Sequence, residues 1–68
     1  MQTLVFNTTT KSVKVTEGDN LTILFQYENV PTVKVSEGFY EVMQKDEFEK
    51  STPVLRLPIG NTNMVIRK

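Results

Sequence analysis

Apolar side chains recur at every second position along most of this 68-residue chain, and that alternation limits what it can fold into. A period of two sends alternate side chains to opposite faces of a strand, whereas a helix needs a period of 3.6. The longest run covers residues 21–28, with Leu21, Ile23, Phe25 and Tyr27 on one side and Thr22, Leu24 and Gln26 on the other. Residues 3–7 pair Leu4 with Phe6, and residues 12–16 pair Val13 with Val15 opposite Lys14. Residues 32–36 repeat this with Val33 and Val35 opposite Lys34, and residues 39–45 direct Tyr40 and Val42 inward. Residues 54–58, with Leu55 and Leu57, and residues 63–67, with Met64 and Ile66, complete the set. The frequent valine and threonine suit strands, where branched side chains pack well.

Turn residues separate these runs. They are Thr8-Thr9-Thr10-Lys11, Glu17-Gly18-Asp19-Asn20, Asn29-Val30-Pro31, Glu37-Gly38 and Gly60-Asn61. Proline ends a strand because it has no N–H for the ladder. Residues 46–53 read as a charged loop with one helical turn around Asp46-Glu47-Phe48-Glu49-Lys50. Turn signals at intervals of roughly 8–12 residues predict an all-β fold. The expected form is a small antiparallel barrel or sandwich of about six to seven short strands, connected mainly by hairpins. No linker or composition shift divides the chain, so residues 1–68 form a single domain.

Val13-Lys14-Val15-Thr16-Glu17-Gly18 recurs as Val33-Lys34-Val35-Ser36-Glu37-Gly38. Each copy predicts a hairpin turning at Glu17-Gly18 or Glu37-Gly38, a type I turn followed by glycine in the left-handed conformation. Either good hairpins converge on similar turns, or one hairpin was duplicated and Lys14 and Lys34 occupy equivalent outward positions. Outward lysines protect strand edges more often than they bind phosphate.

A domain this small buries only about 60% of the surface its unfolded chain exposes, so its core needs support. Cysteine and histidine are both absent, which removes disulfides and ordinary zinc sites. Assembly with itself or with a protein partner is the remaining common route. Eight basic residues balance eight acidic ones, so no strong field draws in nucleic acid or anionic lipid. No apolar run approaches the roughly 20 residues of a membrane-spanning helix, and the first residues lack the pattern of a secretory signal.

Chemistry is sparse. Without histidine or cysteine, the usual nucleophile–base pairs are missing. Ser12, Ser36 and Ser51 are not followed by lysine at the third position, so Ser-Lys catalysis has no motif either. The acids Glu37, Glu41, Asp46, Glu47 and Glu49 cluster, but no calcium-loop pattern or glycine-rich phosphate loop accompanies them. The expectation is a non-enzyme with no cofactor and no metal. Asn7-Thr8-Thr9 and Asn20-Leu21-Thr22 match the glycosylation pattern, which has no consequence outside a secretory route. Small barrels that bind single-stranded nucleic acid interleave basic and aromatic side chains. That interleaving is missing here.

A second apolar set falls on the outward parity: Val5, Leu24, Phe39, Met43, Val54 and Val65. Either both faces of the strands are covered, or these residues form an exposed patch for a partner; the second is favoured in so short a chain.

Several features together resemble short all-β proteins of tailed bacteriophages. They are the strand that begins just after Met1, the Thr/Asn-rich turns, the lack of His and Cys, and the stretch Pro53-Val54-Leu55-Arg56-Leu57-Pro58-Ile59-Gly60-Asn61-Thr62-Asn63-Met64-Val65-Ile66. The resemblance implies an accessory virion protein, such as a capsid auxiliary or decoration protein, or a small inhibitor of a host protein. The leading expectation is a non-enzymatic structural or accessory protein acting through a β surface in a larger assembly. It would be located in the cytoplasm of the producing cell or in the virion. One alternative is a small protein that inhibits a host protein through its acidic segment, residues 37–49. The other is a single-stranded nucleic-acid binder with an OB-like barrel.

Overall fold

The computed structural model describes residues 1–18 and 22–68. It contains seven strands: β1 (Gln2–Asn7), β2 (Ser12–Glu17), β3 (Thr22–Tyr27), β4 (Thr32–Ser36), β5 (Phe39–Lys45), β6 (Ser51–Pro58) and β7 (Thr62–Arg67). A 3₁₀ turn, Ile59–Asn61, links the last two. The alternation therefore locates every strand, but β6 begins at Ser51, so residues 51–53 of the expected charged loop are strand instead, paired with Lys45, Gln44 and Met43 of β5. Helical structure around residues 46–50 does not form; a tight turn held by Asp46 takes its place.

The strands form two sheets, one in the order β3-β2-β1-β7 and the other in the order β4-β5-β6. This is an open two-sheet arrangement and not a closed barrel. Each sheet is built on a meander of hairpins, β1-β2-β3 and β4-β5-β6. β7 then leaves the second sheet and pairs with the free side of β1, in parallel, from Gln2 opposite Thr62 to Asn7 opposite Arg67. The wholly antiparallel expectation is corrected here. A strand that reaches its neighbour by crossing between sheets is free of the direction reversal a hairpin imposes.

Leu4, Phe6, Val13 and Val15 from the four-stranded sheet meet Val42 and Leu57 from the three-stranded one, with Val30 completing the cluster. Tyr27, Val33, Tyr40, Leu55 and Met64 pack around it. Four expected core residues are exposed instead: Ile23, Phe25, Val35 and Ile66. All four lie on edge strands, which have a neighbour on one side only. Leu21 lies outside the described residues.

Two bulges break the strict alternation. Val15 faces Phe25 while the next residue, Thr16, faces Ile23, so Leu24 is an extra residue in β3. Cross-strand partners share a face. Phe25 and Tyr27 therefore follow Val15 and Val13 toward the core side, and Ile23 follows Thr16 to the other. In the second sheet Val42 faces Leu55 and Met43 faces Pro53, so Val54 is extra. Pro53 is tolerated because β6 is an edge strand and bulged.

The two copies of the sequence repeat fold differently. Ser36 pairs with Phe39, which leaves Glu37 and Gly38 as a two-residue loop, with φ of 52° and 82°. Positive φ at both positions defines a primed turn, not the expected type I turn, because its twist matches that of the flanking strands. In the first copy Glu17 belongs to β2 and pairs with Gln2 and Thr22; Gly18 has a φ of 65°. Asp19 and Asn20 lie outside the described residues. Lys14 sits on a strand paired on both sides and Lys34 on an edge strand, so the two lysines are not equivalent.

Gly38→Val places a β-branched side chain at a φ of 82°. We expect a loss of about 1–3 kcal/mol, measured as a clear fall in Tm; an unchanged Tm would refute the primed turn. Thr62 is 6% exposed and its hydroxyl has no hydrogen-bond partner among the described residues. Thr62→Val keeps the shape and removes the orphaned polar group, so it should stabilise the fold by about 1 kcal/mol, visible as a later chemical-denaturation midpoint.

Candidate interaction surface

Strand edges present unpaired N–H and C=O groups, and proteins guard them with charge, proline or cover. The two sheets have four edges, β3, β7, β4 and β6. β4 carries Lys34 at its middle, β6 carries Pro53, Arg56 and Pro58, and β7 ends in Arg67. β3 reads Thr-Ile-Leu-Phe-Gln-Tyr, with neither charge nor proline. It also exposes large apolar side chains, Ile23 at 54%, Leu24 at 38% and Phe25 at 39%. An edge of this composition is a site for strand addition. Among the described residues the bulge at Leu24 is its one guard, and it leaves Phe25, Gln26 and Tyr27 in regular register with β2.

The outer face of the four-stranded sheet is a second surface. It is a shallow open concavity floored by Val5 and Val65, with Asn7, Lys14, Asn63 and Arg67 among the residues around them. Cross-strand register explains the grouping: Val5 lies opposite both Lys14 and Val65, and Asn7 lies opposite Arg67. Among the described residues, no acidic or aromatic side chain lines it.

The six residues of the expected apolar patch are dispersed. Val5 and Val65 lie together on this outer face, and Leu24 is at the β3 edge. Phe39 is on the other sheet beneath Arg56, whose guanidinium sits 4.5 Å from the ring centroid. The same guanidinium reaches Glu41 at 3.2 Å, so Phe39 is partly capped by an ion pair. Met43 is buried, and Val54 is partly buried against the core. The extra residue in each bulged strand is what defeats a parity count in these two stretches.

The acidic stretch is partly consumed by the fold. Glu41 is tied to Arg56. Asp46 Oδ1 accepts hydrogen bonds from the Phe48 N–H at 2.8 Å and the Lys50 N–H at 3.0 Å. Asn7 does the same for its own turn, accepting from the Thr9 and Thr10 N–H groups at 3.0 Å. Asp and Asn side chains commonly nucleate turns this way. Among the described residues no group of three or more acidic, His or Cys side chains is placed to hold a metal ion, and no helix is long and apolar enough to cross a membrane.

Comparison with family models, with curated proteins and with solved structures yields no match. The role of this surface therefore has to be judged from its own chemistry. Alternation alone does not reveal that β3 is an edge; the uncharged run is visible in the sequence, but strand order is needed to make it significant.

Asp46→Ala removes both loop hydrogen bonds and should cost about 1 kcal/mol. Asp46→Asn, which retains an acceptor, should recover most of it. Equal Tm values for all three proteins would show that this carboxylate does not hold the loop.

Proposed function

We propose that the chain is a non-enzymatic structural or accessory protein that acts by protein contact through a β surface in a larger assembly. A phage particle carrying it as a capsid auxiliary or decoration protein is the setting that the sequence resemblance favours. The observation that carries this reading is the β3 edge, uncharged, free of proline and lined by exposed Ile23, Leu24 and Phe25. A partner strand would satisfy its backbone groups and cover those side chains together.

The inhibitor reading has less support, since Glu41 and Asp46 of the acidic segment are engaged within the fold. One observation favours nucleic acid: the concavity that holds Lys14 and Arg67 has no acid among the described residues that line it. It also contains no aromatic side chain on which a base could stack, and stacking supplies much of single-strand affinity.

Immobilised chain should capture a defined protein partner from lysate or particles of the cells that produce it. Leu24→Lys, which puts a charge on the exposed bulge, should reduce that capture at least tenfold while leaving Tm nearly unchanged. Undiminished capture would remove β3 from the contact. Salt-sensitive binding of labelled oligonucleotides would instead favour the outer-face reading.

A further inference from the structure

We propose that the β3 edge pairs with the β3 edge of a second copy, antiparallel about a two-fold axis through Gln26, to give one continuous eight-stranded sheet. This rests on the contact role proposed for β3 and names its partner.

The chemistry of a strand edge specifies an extended strand as its complement. Within this chain the other three edges are guarded by Lys34, by Arg56 with its prolines, and by Arg67. β3 is the one edge whose strand residues carry no charge, so pairing it with itself brings in a charge only at Glu28, just past the strand end. Such a contact is isologous, so it closes at two copies and does not propagate into fibres. The chain has a formal net charge of zero, so two copies do not repel one another at long range.

The bulge selects the register. Phe25, Gln26 and Tyr27 form the regular stretch, opposite Val15, Lys14 and Val13 of β2. Centring the two-fold on Gln26 sets Phe25 of each copy against Tyr27 of the other, on the core side of the sheet. Two aromatic cross-strand pairs result, a favoured combination. On the outer side Gln26 meets Gln26 of the other copy, and each amide has both a donor and an acceptor to offer. Leu24 comes opposite Glu28, so no like charges are juxtaposed. Only three residues of β3 are in regular register, so the contact is short and the dimer depends on concentration.

Light scattering on the purified chain should give a mass that rises from one chain toward two with concentration. Gln26→Lys puts two ammonium groups face to face at the axis. Because Gln26 is exposed, the variant should keep its circular dichroism and Tm while staying monomeric at tenfold higher concentration. Gln26→Cys should form a disulfide-linked dimer under mild oxidation, since directly opposite residues lie within disulfide reach. Lys34→Cys, on a guarded edge, should not. A monomer at every concentration, or a dimer indifferent to Gln26→Lys, overturns the proposal. If the chain is monomeric yet Leu24→Lys still abolishes capture of a different protein, self-pairing is wrong and the contact role stands. A Gln26-dependent dimer with no affinity for any other protein supports self-pairing and removes the wider assembly role.

Discussion

The two sheets are held in relation by a four-residue crossover, Glu28 to Pro31, and above all by Val30. Its side chain is fully buried at 0% exposure, although its neighbours Glu28 and Asn29 are exposed. Its N–H donates to the Lys11 carbonyl at 2.8 Å, in the turn of the first hairpin. One residue earlier, the Asn29 carbonyl accepts from the Lys45 N–H at 2.9 Å, at the end of β5. The Gln44 side-chain amide donates to the Glu28 carbonyl at 2.8 Å. Consecutive residues thus bind one sheet and then the other. Burying a valine side chain contributes about 1.5–3 kcal/mol, and the hydrogen bonds of Asn29 and Val30 pair backbone groups of the crossover with both sheets. Asn29 takes a φ of 58°, a conformation asparagine tolerates better than most residues.

The two-sheet arrangement held by that junction is unequal. Three strands face four, because β7 returns to the first sheet and not the second. The side chains at the margins, Ile23, Phe25, Val35 and Ile66, remain exposed despite their apolar character. Arg56 covers Phe39 on the three-stranded sheet, but no comparable pairing occurs at Phe25 among the described residues. The exposed apolar surface is therefore a product of topology as much as of composition.

Strand positions are legible in the sequence because alternation and turn residues are local properties, and all seven strands can be located from them. Three features are not local. The parallel pairing of β1 with β7 joins segments nearly sixty residues apart in a 68-residue chain, and no turn signal encodes it. Bulges at Leu24 and Val54 shift parity by one residue, which moves Ile23 off the core side and draws Val54 toward it. Val30 reads as part of a break between strands, since a valine beside a proline looks the same whether it turns outward or plugs a core. The repeat misleads for a related reason. Identical Val-Lys-Val strands occupy an inner position as β2 and an edge position as β4, and hydrogen-bonding neighbours, not sequence, set the surroundings of each.

The candidate surface depends on the same distinction. Guarding residues have meaning only once strand order is known. Lys34, Arg56 and Arg67 then become barriers on three edges, and the uncharged run of β3 becomes the exception. A bulge within that run restricts regular pairing to a short stretch, so any strand added there is held by few ladder bonds. Contacts of that size are weak singly and become effective when a lattice supplies many copies at high local concentration. A small domain with three guarded edges and one short unguarded edge is thus suited to joining an assembly without nucleating an indefinite one, and this is the physical link between its fold and the accessory role proposed for it.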